Sequence, residues 1–218
     1  MTPKISDSPY QDHGREELMP FLPATTKNVL EVGCHTGYFG RAIKKKYGAT
    51  VWGIEPNKKT ARIAAEGLDR VFEAYFDETL DLPDQYFDVI TFTDVLEHMP
   101  DPWAALKIAS TKLSKGGIVL ISVPNIRHID NLVHLLRDRD FKYEPLGIRD
   151  KTHLRFFTKK SAPRLFEGTG LQMTKIVGIN EIGTDYSLSR RLVFSIFSKY
   201  MEDTRYVQYA MIGELDKS

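Results

Sequence analysis

Cysteine is almost absent from this chain: Cys34 is the only one. A single thiol excludes an intrachain disulfide and a thiolate-bound metal cluster. Its loop position suits a small turn residue, with a reactive thiol as the alternative. Long apolar runs are also missing, so no stretch reaches the roughly 20 residues that span a bilayer. Residues 1–11 lack the apolar core of a signal peptide, and the cytoplasm is the expected location. Neither sign of charge is in excess: 30 Lys and Arg stand against 29 Asp and Glu, a formal net charge of +1. That balance gives no long-range attraction to nucleic acid, which is therefore not an expected partner. Internal repeats and low-complexity tracts are lacking too. With 218 residues, 42% of them hydrophobic, the chain can form one domain, 1–218, with a sizeable core.

What the sequence does contain is an alternation of short apolar runs and helical patterns. Residues 1–27 form a lead-in, with a helix expected over His13–Leu22 and prolines at 20 and 23 closing it. Strands are then expected at Asn28–Val32, Thr50–Ile54, Val71–Tyr75, Tyr86–Thr93 and Ile118–Val123, with helices at Phe39–Lys46, Lys58–Glu66 and from Pro102. This order favours a parallel sheet with right-handed crossovers. Residues 125–160 break the alternation as an insertion with a helix at Ile129–Arg137. A long connection after a core strand is often functional, and it can equally cap a sheet edge. Beyond it come a helix at Thr158–Glu167, a strand at Met173–Val177, and a last strand at Tyr206–Ile212 that could pair antiparallel at the edge. The amphipathic stretch 187–201 suits packing on the domain or across a homodimer better than a membrane surface.

The chemistry gathers around Asn28–Gly40. Val29, Leu30 and Val32 read as a buried strand, Gly33 and Gly37 bracket a tight turn, and a helix follows. Strand, glycine turn and helix N-terminus together present backbone N–H groups to a ligand edge. Glu31 ends this strand and Glu55 ends the next, where an acidic residue can accept both hydroxyls of a ribose. The turn is not GxGxxG, since Cys34 and His35 replace the glycine pair, and no Lys-Ser/Thr pair supports a triphosphate. A small adenosyl cofactor is favoured over one carrying a pyrophosphate.

These residues carry a resemblance. Val29-Leu30-Glu31-Val32-Gly33-Cys34-His35-Thr36-Gly37, Gly53-Ile54-Glu55, Phe87-Asp88-Val89-Ile90, Asp94-Val95-Leu96-Glu97-His98 and Lys115-Gly116-Gly117 stand in order. With His153-Leu154-Arg155-Phe156-Phe157-Thr158 they make the chain resemble, over roughly residues 10–182, the class I S-adenosylmethionine-dependent methyltransferases, especially the small-molecule branch. The family's usual pattern has a further glycine where His35 stands. The resemblance implies an α/β, Rossmann-like three-layer sandwich with a mostly parallel seven-stranded sheet and an antiparallel edge strand. It implies S-adenosyl-L-methionine as cofactor and S-adenosyl-L-homocysteine as product. Gly33 and Gly37 would line the methionine part, with Cys34, His35, Tyr38 and Phe39 completing that turn. Glu31 would orient the amino group, and Glu55 would take the ribose hydroxyls. Ile54 and Pro56 would flank the adenine, Phe76 would lie against it, and Asp77 would accept from its amine or instead cap a helix. Thr93, Asp94 and Val95 would frame the sulfonium end, and Tyr10 and Arg15 would close over the carboxylate.

Methyl transfer demands a positioned acceptor and a dry site, plus a base if the acceptor is a hydroxyl. His98 and His153 are the candidate bases, each able to exchange a proton near neutral pH. His98 can alternatively orient its loop. Oxygen is slightly preferred over nitrogen as acceptor atom. His128, His134, Arg127, Arg149 and Arg155 could bind an anionic substrate, although most such charges are solvated surface groups. No spacing of His and acidic residues makes a convincing metal set, so none is expected. The insertion is expected to supply the pocket for a small-molecule acceptor. Two other readings remain: an NAD-dependent oxidoreductase on the same sheet logic, and a non-catalytic partner-binding protein.

Overall fold

A computed structural model describes residues 15–181 and 198–216. Its centre is a seven-stranded sheet in the order β3-β2-β1-β4-β5-β7-β6. The strands are β1 Asn28–Val32, β2 Thr50–Ile54, β3 Arg70–Phe72, β4 Phe87–Thr93, β5 Leu113–Pro124, β6 Leu171–Glu181 and β7 Tyr206–Leu215. The order reverses between β1 and β4, which both run parallel to their neighbours. That reversal opens a crevice beyond the carboxyl ends of the strands, where open α/β sheets bind ligands.

Helices α1 (Tyr38–Tyr47) and α2 (Lys58–Ala65) cover one face, and α3 (Pro102–Lys112) covers the other. Alternate residues of each strand feed the two cores. Leu30, Ile90 and Phe92 join Ala105, Leu106 and Ala109 of α3. Val29, Val51 and Val89 join Phe39 and Ile43 of α1 and Ala64 of α2. Both faces of β4 are buried, which is why its sequence is almost continuously apolar. Glycine allows the close layers: a Cβ on Gly53 would stand 2.6 Å from the Cys34 sulfur.

Several expected elements differ. The antiparallel strand β7 is not at the edge; it lies between β5 and β6 and pairs antiparallel with both. The lead-in forms a 3-10 turn at Glu16–Phe21 with Pro20 inside it, shorter than the expected helix. Thr158–Glu167 holds only a 3-10 turn, Ala162–Phe166. Pro163 lacks an amide hydrogen and disfavours the helical conformation at Ala162, so no α-helix propagates. Strand β3 stops at Phe72 short of the expected Tyr75, and β5 begins at Leu113 ahead of the expected Ile118, with a register irregularity between Leu113 and Ile118. The insertion carries helix α4 (Ile129–Arg137) and folds back so that Leu154 N–H and Arg155 N–H donate to the Glu97 carbonyl at 2.8 and 3.1 Å. Of the stretch 187–201, residues 187–197 lie outside the described residues, and Ser198–Met201 form a short helical turn. No helix among the described residues is long and apolar enough to cross a membrane.

Candidate active site

A cavity of about 440 Å³ opens beyond the carboxyl ends of β1, β2 and β4. Its floor is the turn after β1. Gly33 (φ +69°), His35 (φ +49°) and Gly37 (φ +75°) all adopt left-handed backbone there. His35 therefore supplies the geometry of the glycine it replaces, at a cost of about 1 kcal/mol. Its amide N–H donates to Glu55 Oε2 at 2.9 Å. Gly33 cannot be substituted freely, because a Cβ would lie 2.4 Å from Val95 Cγ2. Gly37 caps α1 and does not line the cavity.

Two buried carboxylates support this floor. Glu55 holds the turn to the start of α2: Oε2 takes the His35 amide and Oε1 takes the Asn57 amide at 2.9 Å. Glu31 is buried on the cavity lining and accepts from Gly40 N–H at 3.0 Å, in the first turn of α1. Burial raises its pKa to about 8, opposed only in part by that amide, Arg41 and Arg15. Cys34 is buried on the cavity lining beside these carboxylates, and burial pushes its thiol pKa up, away from reactivity.

Asp94 forms the far wall. It too has positive φ, +54°. Its carboxylate accepts from Arg15, from Ser122 Oγ at 2.8 Å and from Gln208 Nε2 at 2.5 Å. Arg15 thus reaches the cavity from the lead-in and is anchored there. Tyr38, Phe39, Ile54, Pro56, Phe76, Thr93, Val95 and His98 also line the cavity. Asp77 does not: it is exposed, and its Oδ1 accepts from the Thr79 amide and hydroxyl, which holds its carboxyl below the usual range. No helix starts there, so Asp77 braces a turn through Thr79 and takes neither of its expected roles. Tyr10 lies outside the described residues.

The insertion does not line this cavity, contrary to expectation; it buttresses the wall from behind. His98 Nδ1 meets Thr152 Oγ1 at 2.9 Å, and the His153 ring stands edge-on to His98 with centroids 4.7 Å apart. His153 itself is not on the lining. Burial and the neighbouring His98 depress its pKa, and its Nδ1 faces the Ile148 carbonyl at 3.3 Å. The charged candidates for substrate binding are engaged within the protein instead. Arg127 pairs with Asp203, Arg149 with Glu144 and His134 with Asp138, while Arg155 donates to the Pro100 carbonyl. His128 is buried, which lowers its pKa.

One cluster was not expected from sequence. Glu97, His98 and His153 each offer a ligand atom within 4.8 Å of the others. Glu97 is fully buried, neither carboxylate oxygen has a hydrogen-bond partner, and its nearest cationic candidate, His153 Nε2, is 3.9 Å away. Desolvation first, and then the charge of nearby Asp94, push its pKa well up. The offset of 55 positions from His98 to His153 hides this grouping from any spacing rule. Tyr75, Met99 and Pro100, also on the lining, had no motif to mark them.

A family model described as a methyltransferase domain matches residues 10–176. The chain belongs to the class I S-adenosylmethionine-dependent methyltransferases, in their small-molecule branch. Within this family the chain is 30% identical over 162 residues to a ubiquinone biosynthesis O-methyltransferase of Aeromonas salmonicida, covering 71% of this chain and 66% of that one. To the protein of the same name in Aliivibrio fischeri it is 28% identical over 180 residues, covering 76% and 74%. The chain thus spans two thirds to three quarters of the length of these relatives. The fold is that of solved methyltransferases, including a SAM-dependent methyltransferase from Archaeoglobus fulgidus (TM-score 0.69, 20% identity, 91% of each chain covered). An S-adenosylmethionine-dependent methyltransferase from Mesorhizobium loti matches at TM-score 0.61 and 18% identity, over 92% of this chain and 97% of that one.

Proposed function

We propose that this methyltransferase-family chain uses S-adenosylmethionine to methylate a hydroxyl on a small acceptor with an apolar body, in the cytoplasm. One observation carries the reading: a single cavity presents both the Glu55 carboxylate at the end of β2 and the His98 imidazole after β4. S-adenosylmethionine supplies a methyl group on a cationic sulfur. The residues fit such a molecule. Each Glu55 oxygen accepts one backbone N–H and keeps a lone pair for a ribose hydroxyl. Gly33 leaves open the space that a Cβ would take beside Val95. Ile54, Pro56 and Phe76 supply apolar surface for a purine, and Arg15 a cation for a carboxylate. Thr93, Asp94 and Val95 sit where the sulfur end would lie, next to His98.

Oxygen is favoured as acceptor because His98 can take a hydroxyl proton, and because the relatives named above are O-methyltransferases. Calorimetric titration with S-adenosylhomocysteine tests the cofactor part: we expect saturable binding, weakened at least tenfold by Glu55→Ala. No binding to the folded wild-type chain would overturn the reading. In a screen of hydroxylated aromatics with labelled donor, His98→Ala should lower turnover by roughly 10²–10⁴-fold and leave cofactor affinity nearly unchanged. Binding without transfer to any acceptor would return the partner-binding alternative.

The unpartnered Glu97 carboxylate favours a second reading, in which a divalent cation joins Glu97, His98 and His153. Transfer that survives exhaustive chelation leaves His98 as a base. Transfer that is lost and then restored by a divalent cation assigns the three side chains to a metal.

A further inference from the structure

The imidazole on the cavity wall is held by a chain of hydrogen bonds that fixes which of its nitrogens carries the proton. Nδ1 of His98 faces two oxygens of one residue, Thr152 Oγ1 at 2.9 Å and the Thr152 carbonyl at 3.3 Å. The carbonyl can only accept. The hydroxyl has one proton, and that proton is directed elsewhere, to Asp150 Oδ1 at 2.7 Å. The same Asp150 oxygen takes the Thr152 amide at 2.8 Å, so it acts as an acceptor toward both. Asp150 is buried, at 2% exposure, and its own amide donates to the Gly147 carbonyl at 3.0 Å. Every oxygen near Nδ1 is therefore an acceptor, and a ring nitrogen facing only acceptors must be the donor.

We infer that Asp150 and Thr152 form a positioning relay that holds His98, a residue of the cavity lining, in its Nδ1–H tautomer, leaving the lone pair on Nε2, the nitrogen Thr152 does not engage, as the one able to receive a proton. This rests on the methyl-transfer reading for its purpose and on the hydrogen-bond chain alone for its truth. The proton balance is simple. As the acceptor oxygen forms its bond to the methyl carbon, that carbon's bond to the donor sulfur breaks, the sulfur leaves as the neutral thioether of S-adenosylhomocysteine, and the hydroxyl proton passes to Nε2. The ring then carries two N–H groups, with Nδ1–H still on Thr152, and returns the proton to solvent afterwards. The titratable and charged neighbours are His153, edge-on to the ring, Glu97 in the same turn, and Asp94 and Arg15 on the shared cavity wall. None of them occupies Nδ1. The sequence separates the parts, with His98 lying 54 residues before Thr152, so the relay exists only once the insertion folds back on β4.

Two-bond proton–nitrogen spectra of the full chain, labelled at histidine nitrogens and treated with chelator, read the tautomer without any acceptor. His98→Gln assigns the signal. The wild type should show His98 as Nδ1–H with an unprotonated Nε2. Thr152→Val, equal in shape but without the hydroxyl, should move it toward Nε2–H or a mixture, and Thr152→Ser should restore the wild-type pattern. A wild-type His98 already in the Nε2–H form, or a spectrum unmoved by Thr152→Val in a folded sample, would overturn the relay. Titration of the same samples with S-adenosylhomocysteine keeps the two ideas apart. Loss of the tautomer pattern with intact binding sinks the relay alone. Absence of binding with an intact pattern sinks methyl transfer alone.

Discussion

Glu31 shows how one residue can serve two ends. Its carboxyl braces α1 through Gly40 while reaching the cavity surface. Because burial raises its pKa from 4.5 to about 8, the folded chain holds a proton that the unfolded chain has already released. Stability linked to this group is greatest below the lower value and declines as pH rises toward the upper one. Melting temperature of the ligand-free chain should fall across that window, and Glu31→Gln should flatten the fall. Binding a cationic amino group beside Glu31 would favour the ionised form. Near pH 7 the calorimetric heat of S-adenosylhomocysteine binding should then depend on the buffer's ionisation enthalpy, and Glu31→Gln should abolish that dependence. His35 makes a second residue-scale test. Its left-handed backbone tolerates glycine, so His35→Gly should keep stability within about 1 kcal/mol of wild type, whereas the branched His35→Val should lose roughly 1–2 kcal/mol by thermal denaturation. Local sequence announced the acidic ends and the glycines. It did not announce that histidine would take the left-handed position, since any backbone can be forced there by enough surrounding hydrogen bonds.

The element that ties fold to site most directly is α2. Its N-cap Asn57 accepts from the amides of Lys59 and Thr60 at 2.9 and 3.3 Å, and its own amide donates to Glu55. The helix start and the ribose-binding candidate are therefore one unit. Asn57→Ala should cost about 1 kcal/mol of stability through the lost cap and also weaken S-adenosylhomocysteine binding several-fold. Asp101→Ala, which removes the equivalent cap of α3 at Ala104, should cost a similar stability and leave binding unchanged. Strand β4 was legible because burial on both faces writes an almost continuous apolar run. The segment after the insertion was not, since Pro163 stops a pattern that otherwise reads as helical. Nor was the place of β7, because alternation along a strand says which face is buried and nothing about which strand lies beside it.

At the scale of the whole molecule, the site is gathered from distant parts of the sequence. Asp94 is bonded to Arg15, 79 residues earlier, and to Gln208, 114 residues later. No motif spans such distances, so the sequence located the turn, the two acids and the region of His98, but not the Ser122 and Gln208 contacts that hold the far wall. Gln208→Leu leaves β7 able to pair yet removes a donor from Asp94. We expect weaker S-adenosylhomocysteine binding, by about threefold to tenfold, with the melting temperature changed little. A consequence concerns synthesis. While a ribosome is still making the last strand, the glycine turn and both acids have already emerged, but Asp94 lacks its Gln208 donor. A nascent chain stalled before residue 206 should hold ligand poorly, and capacity should appear only as the antiparallel strand slots between its two neighbours.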